Sequence, residues 1–515
     1  MNDLVSEFQR LLKELPDEKT GDTTELLLRL MPDHKAEVFR ACAIPHKFNK
    51  NIIMTMLPDL KPGLAEEFYQ EFMELSIIGS DQDGLSLHDQ ARKELFGWWL
   101  VPENFGKFTK ISARLADYYN GMAHNAHGQS LEIAERLRMF HLIGADQEKG
   151  FSDFESLCQQ ARHQYRLSEC NVLIRLVHEY DLILAPVRLL WLSYHEGKLS
   201  ADLRQWEKAE KIFNLIVENT ASLPELRIKA LLRLGYVSNQ QYLLDTAIGY
   251  YKKALEFAMN NPKTDVKIHR IKQDLGATYR DKGELTQAEM LLKESISMAK
   301  AENDLSGIAL AYNSLGILQL NRGDINAAIE SFTMCLDSLT QSGQIFRTAQ
   351  VYNNLGLGYE QLRDRDKSKH YFMKSLEIKQ QAGDTLGQAL ALNNLARTEA
   401  NQGELEAAIK ASTEAISLFD QIRDLYHLGV ATHNRGKLYR MIGKPEAIEA
   451  CRKDFQHAID LFTRCQKNDE AKSVREELES LTRKKRLPWW VWIAIFLFPI
   501  LLITLFLLLS LPNTE

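Results

Sequence analysis

The sequence has few cysteines, and their spacing argues against the usual cysteine chemistry. Six are scattered over 515 residues without a Cys-x-x-Cys pair or a nearby histidine at zinc-site spacing. We therefore expect reduced thiols that pack inside a cytosolic fold. His124 and His127 are three positions apart but have no carboxylate or thiolate close by, so we predict no metal site. We also predict no cofactor.

The sequence also lacks a strong excess of charge and a phosphate-binding loop. Its formal net charge is -6 and its pI is about 6.2, which does not indicate a nucleic-acid-binding surface. The string closest to GxxxxGK[ST], at Gly443-Lys444-Pro445, lacks the upstream spacing and the hydroxyl residue. No Ser-His-Asp, paired-carboxylate or Cys-His pattern stands out, so an enzyme is the least favoured class.

What the sequence does contain is self-similarity at an interval of forty residues. Five units are marked by residue pairs in one register: Leu275-Gly276, Leu315-Gly316, Leu355-Gly356, Leu395-Ala396 and Arg435-Gly436. A helix stop follows seven residues after each pair, at Gly283, Gly323, Arg363, Gly403 and Gly443. An amphipathic run follows each stop, so each unit is predicted to be two helices. Neighbouring pairs must stack to bury their apolar faces.

Small residues in the repeats predict close packing between the two helices of a unit. We expect four of them on first helices, Gly276, Gly316, Gly356 and Ala396, to meet Ala288, Ala328, Ser368 and Ala408 on second helices. A sixth unit is marked by Leu234-Gly235, and residues 199–218 look like the end of a seventh.

The repeat pattern resembles the tetratricopeptide-repeat family, with Leu-Gly-x-x-Tyr, then Gly, then Ala and a Phe four residues later. The best matches are residues 275–288 and 355–372. The forty-residue spacing is similar to kinesin light chains and to bacterial regulators of the maltose-activator type. The resemblance implies an all-α solenoid with a right-handed superhelical path.

Residues 1–125 depart from the repeat pattern. Three short amphipathic segments precede two β-like runs around residues 81–84, and a helical segment follows from Ala91. This order, with Leu87-His88-Asp89 after the runs, resembles the winged-helix module of signal-transduction ATPases with numerous domains. The third segment, 63–75, carries four glutamates and no basic residue, so we expect protein contact there rather than DNA binding.

The C-terminal stretch from Trp489 to Leu511 contains no charged residue. Its 23 residues would span roughly 34 Å as a helix, enough to cross a bilayer. Basic residues precede it, which predicts a single-pass, tail-anchored membrane protein with the bulk of the chain in the cytoplasm. The basic flank is read as a topology signal, with contact to anionic lipid headgroups as the alternative. The predicted membrane-flanking residues are Arg483, Lys484, Lys485, Arg486, Trp489, Trp490 and Trp492.

The predicted organisation has six parts. They are a winged-helix-like domain (1–125), a helical connector or divergent repeats (126–185), the repeat array (186–465), a capping helix with a basic juxtamembrane segment (466–487), a transmembrane helix (488–511) and a short tail (512–515).

One column of the repeats predicts a binding surface. The residues two positions before the marked leucine are Gln273, Asn313, Asn353, Asn393 and His433. In tetratricopeptide arrays this column faces a concave groove, so the resemblance implies that its carboxamides bond the backbone of an extended peptide or partner protein. The alternative is that they bond neighbouring helices or water. Basic residues nearby suggest an acidic ligand, against the alternative of ordinary solvated charges: Arg280, Arg397, Lys437 and Arg440.

These features favour a non-enzymatic, membrane-anchored scaffold that recruits a partner protein or peptide. The alternative is an effector in which ligand sensing by the array drives homo-oligomerisation and clustered C-terminal helices disturb the bilayer. A ligand-responsive regulator is weaker, because the third segment is acidic and the chain is tethered. No nucleic-acid partner is expected, and membrane lipid is the expected partner of the C-terminal helix.

Overall fold

The computed structural model describes residues 21–163, 166–219 and 223–482. Over these ranges the chain is helical apart from one two-stranded antiparallel hairpin. No helix within them is long and apolar enough to cross a membrane. The predicted transmembrane helix at 488–511, its basic and tryptophan flanks and the tail lie outside the described residues and stay predictions. The chain divides into two compact units, residues 1–283 (unit 1) and 284–515 (unit 2).

Unit 1 begins with the order of elements expected from the sequence. Its first elements are α1 (Gly21–Leu30), α2 (Asp33–Ala41), α3 (Lys50–Met56), α4 (Pro62–Met73), β1 (Ile78–Asp81), β2 (Gly84–Leu87) and α5 (Asp89–Trp99). The strands pair with Ile78 opposite Leu87 and Asp81 opposite Gly84. Lys47 contacts the turn between the two strands, where its ammonium donates to Asp81 and Asp83 over 2.7 and 2.9 Å. The winged-helix classification itself stays a prediction.

The remainder of unit 1 is built of nine helices within the described ranges. They are α6 (Pro102–Asn125), α7 (Gln129–Ala145), α8 (Gln147–His163), α9 (Leu167–His178), α10 (Pro186–Asp202), α11 (Trp206–Glu218), α12 (Pro224–Gln240), α13 (Leu244–Asn260) and α14 (Ile268–Lys282). One buried hydrophobic cluster extends from Leu27 to Leu199. This core therefore continues through the predicted boundary at residue 125, and the predicted domain limits stay predictions.

Unit 2 consists of one helix, then four helix pairs, and then one more helix. They are α15 (Leu285–Ala301), α16 (Leu305–Arg322), α17 (Ile325–Gln341), α18 (Ile345–Gln361), α19 (Arg365–Gln381), α20 (Thr385–Gln402), α21 (Leu405–Gln421), α22 (Leu425–Ile442), α23 (Pro445–Arg464) and α24 (Asn468–Thr482). Ala471 and Val474 of α24 are buried in one cluster with Cys451 and Phe455 of α23. Helix α24 therefore covers the apolar side of the last pair, as expected of a capping helix.

The helix stops predicted from the repeats are confirmed. Gly323, Gly403 and Gly443 end α16, α20 and α22 in the left-handed region, with φ of 90°, 86° and 71°. Glycine is favoured there because it has no Cβ to clash with the following carbonyl oxygen. Arg363, at the corresponding position after α18, also has a positive φ of 60°. The stop is thus a property of the repeat register, which holds even where glycine is missing.

The close helix packing is also present, but at Gly316 and Gly356 the nearest side chain is not the expected one. A methyl group added to Gly316 of α16 would lie 2.5 Å from the Phe332 ring of α17, and one added to Gly356 would lie 2.7 Å from the Phe372 ring. The nearest side chain is thus an aromatic ring four residues after the expected Ala328 or Ser368. The small residue makes room for this ring, which is fully buried in both pairs.

This packing predicts the effect of adding a methyl group. Gly356→Ala should destabilise unit 2 by about 1–3 kcal/mol, because the Phe372 ring has no free space to move into. Thermal and denaturant unfolding would measure the loss. Gly249→Ala is the matched control: nothing lies within 4 Å of the added methyl group in helix α13, so it should stabilise by up to about 1 kcal/mol.

The same substitution in a Phe372→Leu background separates crowding from a general helix effect. The cost of Gly356→Ala should be smaller there, since the shorter side chain leaves room for the methyl group. An equal cost in both backgrounds would contradict the proposed contact.

Candidate functional site

Asparagine side chains on successive first helices of unit 2 bond one another. Asn354 Nδ2 donates to Asn313 Oδ1 over 2.9 Å. Asn394 Nδ2 donates to Asn353 Oδ1 over 2.9 Å. Asn434 Nδ2 donates to Asn393 Oδ1 over 3.3 Å. We call this set the asparagine ladder; it joins α16, α18, α20 and α22.

In the ladder each predicted groove asparagine is bonded through its amide oxygen, and its NH2 group remains available. Asn313, Asn353 and Asn393 accept through Oδ1, and their NH2 groups donate to no group within the described part of the chain. All three side chains are half-buried and so remain partly accessible to solvent. Each therefore presents two N–H donors from an amide whose orientation the neighbouring helix fixes. These hydrogen bonds are those of the alternative interpretation, in which the amides bond neighbouring helices, and the groove role of the column stays a prediction.

The ladder ends on the capping helix with a carboxylate. His433 Nε2 lies 3.1 Å from Glu477 Oε1 on α24. Lys437 Nζ lies 3.6 Å from the same oxygen, and Arg440 Nη1 donates to Glu477 Oε2 over 3.0 Å. Three predicted site residues thus converge on one carboxylate. Two positive charges, those of Lys437 and Arg440, thus face the single Glu477 carboxylate even while His433 is neutral.

The protonation of His433 reflects its surroundings. Partial burial lowers its pKa, and the Lys437 ammonium and Arg440 guanidinium lower it too, while Glu477 opposes them with its charge and its hydrogen bond. The imidazole is therefore neutral at neutral pH and donates its Nε2–H to the carboxylate.

Arg397 forms a separate ion pair between adjacent repeats. Its Nε and Nη2 donate to the two oxygens of Glu360 on α18 over 2.9 and 2.8 Å. The Arg397 side chain is 50% exposed, so the pair is worth at most about 1 kcal/mol and a ligand carboxylate can replace Glu360 at little cost.

The other two predicted site residues belong to unit 1. Gln273 is buried in α14. Arg280 pairs with the adjacent Asp281, to which its Nε and Nη2 donate over 2.9 and 2.7 Å. The Arg280 side chain is 12% exposed, and its predicted role in a groove stays a prediction.

The sequence reading missed five residues that complete the unit 2 site: Asn354, Asn394, Asn434, Glu360 and Glu477. Three of them repeat at the same interval of forty residues, one position after the chosen column. This second column of asparagines could therefore have been recognised from the sequence.

The shared carboxylate makes a prediction about proton binding. Replacing Glu477 with Gln removes a negative charge beside His433, so the His433 pKa should fall further below its ordinary value. NMR titration of the imidazole would measure this. Glu476→Gln is the matched control, since Glu476 is exposed and adjacent, and it should leave the His433 pKa nearly unchanged. An unchanged or raised pKa in the Glu477 variant would contradict the contact.

Comparisons with known proteins support the repeat fold. The tetratricopeptide-repeat family profile matches residues 347–421, which include Asn353, Asn393 and Arg397. No curated protein matches the chain.

Solved structures with similar folds include a signal-transduction ATPase with numerous domains that has a tetratricopeptide-repeat sensor, from Pyrococcus horikoshii. It shares 12% identity at a TM-score of 0.50, over 90% of this chain and 66% of that protein. The chain thus spans just under two thirds of that protein's length. At this identity the likeness shows the fold alone.

Two further structures show weaker likeness. A Rap protein in complex with competence and sporulation factor shares 13% identity over 64% of this chain and 96% of its own, with a TM-score of 0.44. A putative kinesin light chain from Podospora anserina shares 11% identity over 39% of this chain and 98% of its own, with a TM-score of 0.33. The repeat region of this chain therefore has the tetratricopeptide-repeat fold, on the evidence of the profile match and of the Pyrococcus horikoshii structure.

Proposed function

We propose that this chain is a non-enzymatic adaptor whose unit 2 repeats bind an extended segment of a partner protein along the asparagine ladder. Tetratricopeptide repeats are typical of protein-interaction scaffolds. One observation carries the proposal. The amide oxygens of Asn313, Asn353 and Asn393 each accept a hydrogen bond from the next first helix, while their NH2 groups donate to no group within the described residues.

An extended peptide suits these donors because its backbone carbonyls point outward at regular intervals. Each ladder amide is held by the next helix, so a carbonyl that accepts from its NH2 group meets a side chain that is already oriented. Preorganisation of this kind lowers the entropy lost on binding.

Charge suggests where an acidic part of the ligand lies. Lys437 and Arg440 share Glu477 and are 41% and 40% exposed. A carboxylate from a ligand can therefore approach both without breaking a buried pair. We place the acidic residues of the partner beside α22, with the neighbouring backbone on the ladder.

Substitution of asparagine by aspartate tests this proposal directly. Asn353→Asp with Asn393→Asp keeps the Oδ acceptors that Asn394 and Asn434 need, and removes only the free donors. Peptides selected from a random displayed library on the full chain in detergent should be enriched in acidic residues. Their Kd, measured by fluorescence anisotropy, should rise at least tenfold in the double variant.

The added charge needs its own control. Gln361→Glu with Asn401→Asp adds the same charge at exposed positions at the ends of α18 and α20. This variant should bind the selected peptides nearly as well as the unaltered chain. If both double variants weakened peptide binding equally, with unchanged thermal midpoints, the result would contradict the ladder as the binding element.

We propose further that α2 to α5 and the hairpin form a winged-helix-like module for protein contact. The order of elements supports this. On α4, Glu66 lies 3.2 Å from Lys50 and Glu71 pairs with Lys35, while no basic residue of α4 itself is available for a phosphate backbone.

Finally, we propose that residues 488–511 anchor the adaptor in a membrane with its repeats in the cytoplasm. The uncharged run and the basic flank that precedes it support this. In a flotation assay with vesicles that contain anionic lipid, the full chain should float with the vesicles. A chain truncated after Thr482 should stay at the bottom. Flotation of the truncated chain to the same extent would contradict the anchor.

A further inference from the structure

Two basic side chains in unit 1 meet at one tyrosine, apart from the asparagine ladder. Lys198 Nζ on α10 lies 5.5 Å from the ring centroid of Tyr194, one turn earlier on the same helix. Arg233 Nε on α12 lies 3.5 Å from the Tyr194 hydroxyl oxygen. Within the described residues, neither Lys198 nor Arg233 forms an ion pair with a carboxylate.

The carboxylates around this tyrosine do not balance the charge. Asp202, one turn after Lys198, is held by Arg162 of α8 over 2.7 Å. Asp274 of α14 faces Arg233 at longer range. Four cations, Arg162, Lys198, Arg233 and Arg270, thus face these two carboxylates, and Asp202 already has Arg162 as its own partner. Lys198 and Arg233 each keep part of their surface exposed to solvent.

Burial is the main cause of the pKa shifts of Lys198 and Asp274 around this tyrosine. Burial lowers the pKa of Lys198 to about 7, and the charges of Arg162 and Arg233 act in the same direction, against Asp202 and Cys158. Burial raises the pKa of Asp274 to about 6, against Arg233 and Arg270. An anion placed between Lys198 and Arg233 would raise the Lys198 pKa and restore its full charge.

We infer that Tyr194, Lys198 and Arg233, which we call the Tyr194 site, bind a phosphate group, either free or as the monoester of a small molecule. The guanidinium offers several N–H donors in a fixed plane, the ammonium is a compact point charge, and the tyrosine adds a hydroxyl donor. A phosphate with nearly two negative charges matches two cations that lack carboxylate partners. The site lies in the other unit from the ladder, so this inference does not rest on the proposed function.

Calorimetry on the full chain in detergent tests the inference, with phenyl phosphate and inorganic phosphate as ligands at constant ionic strength. Both should bind saturably. Lys198→Met and Arg233→Gln should each weaken binding at least tenfold, while Lys229→Met should not. Lys229 is the matched control because it is paired with Glu225 over 2.5 Å on the same helix as Arg233.

A substitution that is expected to strengthen phosphate binding distinguishes a loss of binding contacts from damage to the fold. Asp274→Asn removes a repelling carboxylate and should tighten phosphate binding several-fold. A variant that merely loosened unit 1 would weaken it. Absence of saturable binding, equal weakening by Lys229→Met and Lys198→Met, or weakening by Asp274→Asn would overturn the inference.

Proton uptake gives an independent reading with sulfate, a dianion that does not itself titrate near neutral pH. At pH 7.5, sulfate binding should take up protons, measured from the heat in buffers of different ionisation enthalpy, because Lys198 gains a proton. The groups facing Lys198 are Arg162, Arg233, Asp202, Cys158 and His195. Uptake that persists in Lys198→Met would assign the proton to another of these groups and overturn the role given to Lys198.

Discussion

The contact between a glycine on one helix and an aromatic ring on the next sets the geometry of three of the helix pairs of unit 2. In Gly316 and Gly356 the missing side chain leaves the space that Phe332 and Phe372 fill. A pair of helices held in this way has a fixed separation and a fixed rotation. Side chains elsewhere on the first helices then fall in columns, and a polar column can repeat the same contact from one repeat to the next.

The asparagine ladder depends on that regularity. Its bonds join residues 41 positions apart, and the last rung, from His433 to Glu477, joins residues 44 apart. The three extra positions match a longer glycine-to-ring spacing in the last pair, where Gly436 meets Phe455. The glycine-to-ring contact and the polar contact are therefore both shifted by three positions. This is expected if the packing of the helices fixes the position of the polar contact.

The proposed binding role of the ladder rests on the polarity of its hydrogen bonds. Buried amides need partners, and an amide pair uses one acceptor and one donor while leaving the others free. Because each column asparagine accepts one hydrogen bond, both of its N–H donors remain available within the described residues, together with one lone pair of the oxygen. At the capping helix the pattern changes to a carboxylate shared by His433, Lys437 and Arg440. A ligand with backbone acceptors and an acidic part matches both features.

Features set by neighbouring residues could be predicted from the sequence. The helix pairs follow from periodicity, and the stops follow from glycines that adopt a left-handed conformation, with Arg363 recognised by register alone. The N-terminal helices and hairpin were found in the expected order. These are local properties, which a single sequence carries.

Features that depend on side-chain direction could not be predicted in the same way. The repeat register located Gly356, but which side chain would face it depends on the tilt of the Cα–Cβ bonds on the second helix. The sequence therefore suggested Ser368 where the structure has Phe372. Glu477 was missed because the longer last pair displaces it from the forty-residue register. The Tyr194 site was missed because its charges come from helices of different repeats.

The most direct test of the central claim is a crystal structure of the chain with a peptide selected for binding. The account predicts an extended peptide with at least two carbonyl oxygens within hydrogen-bond distance of the Nδ2 atoms of Asn313, Asn353 and Asn393, while the ladder bonds stay intact. A peptide bound elsewhere, or one that displaces Asn354 and Asn394 from the ladder, would contradict it.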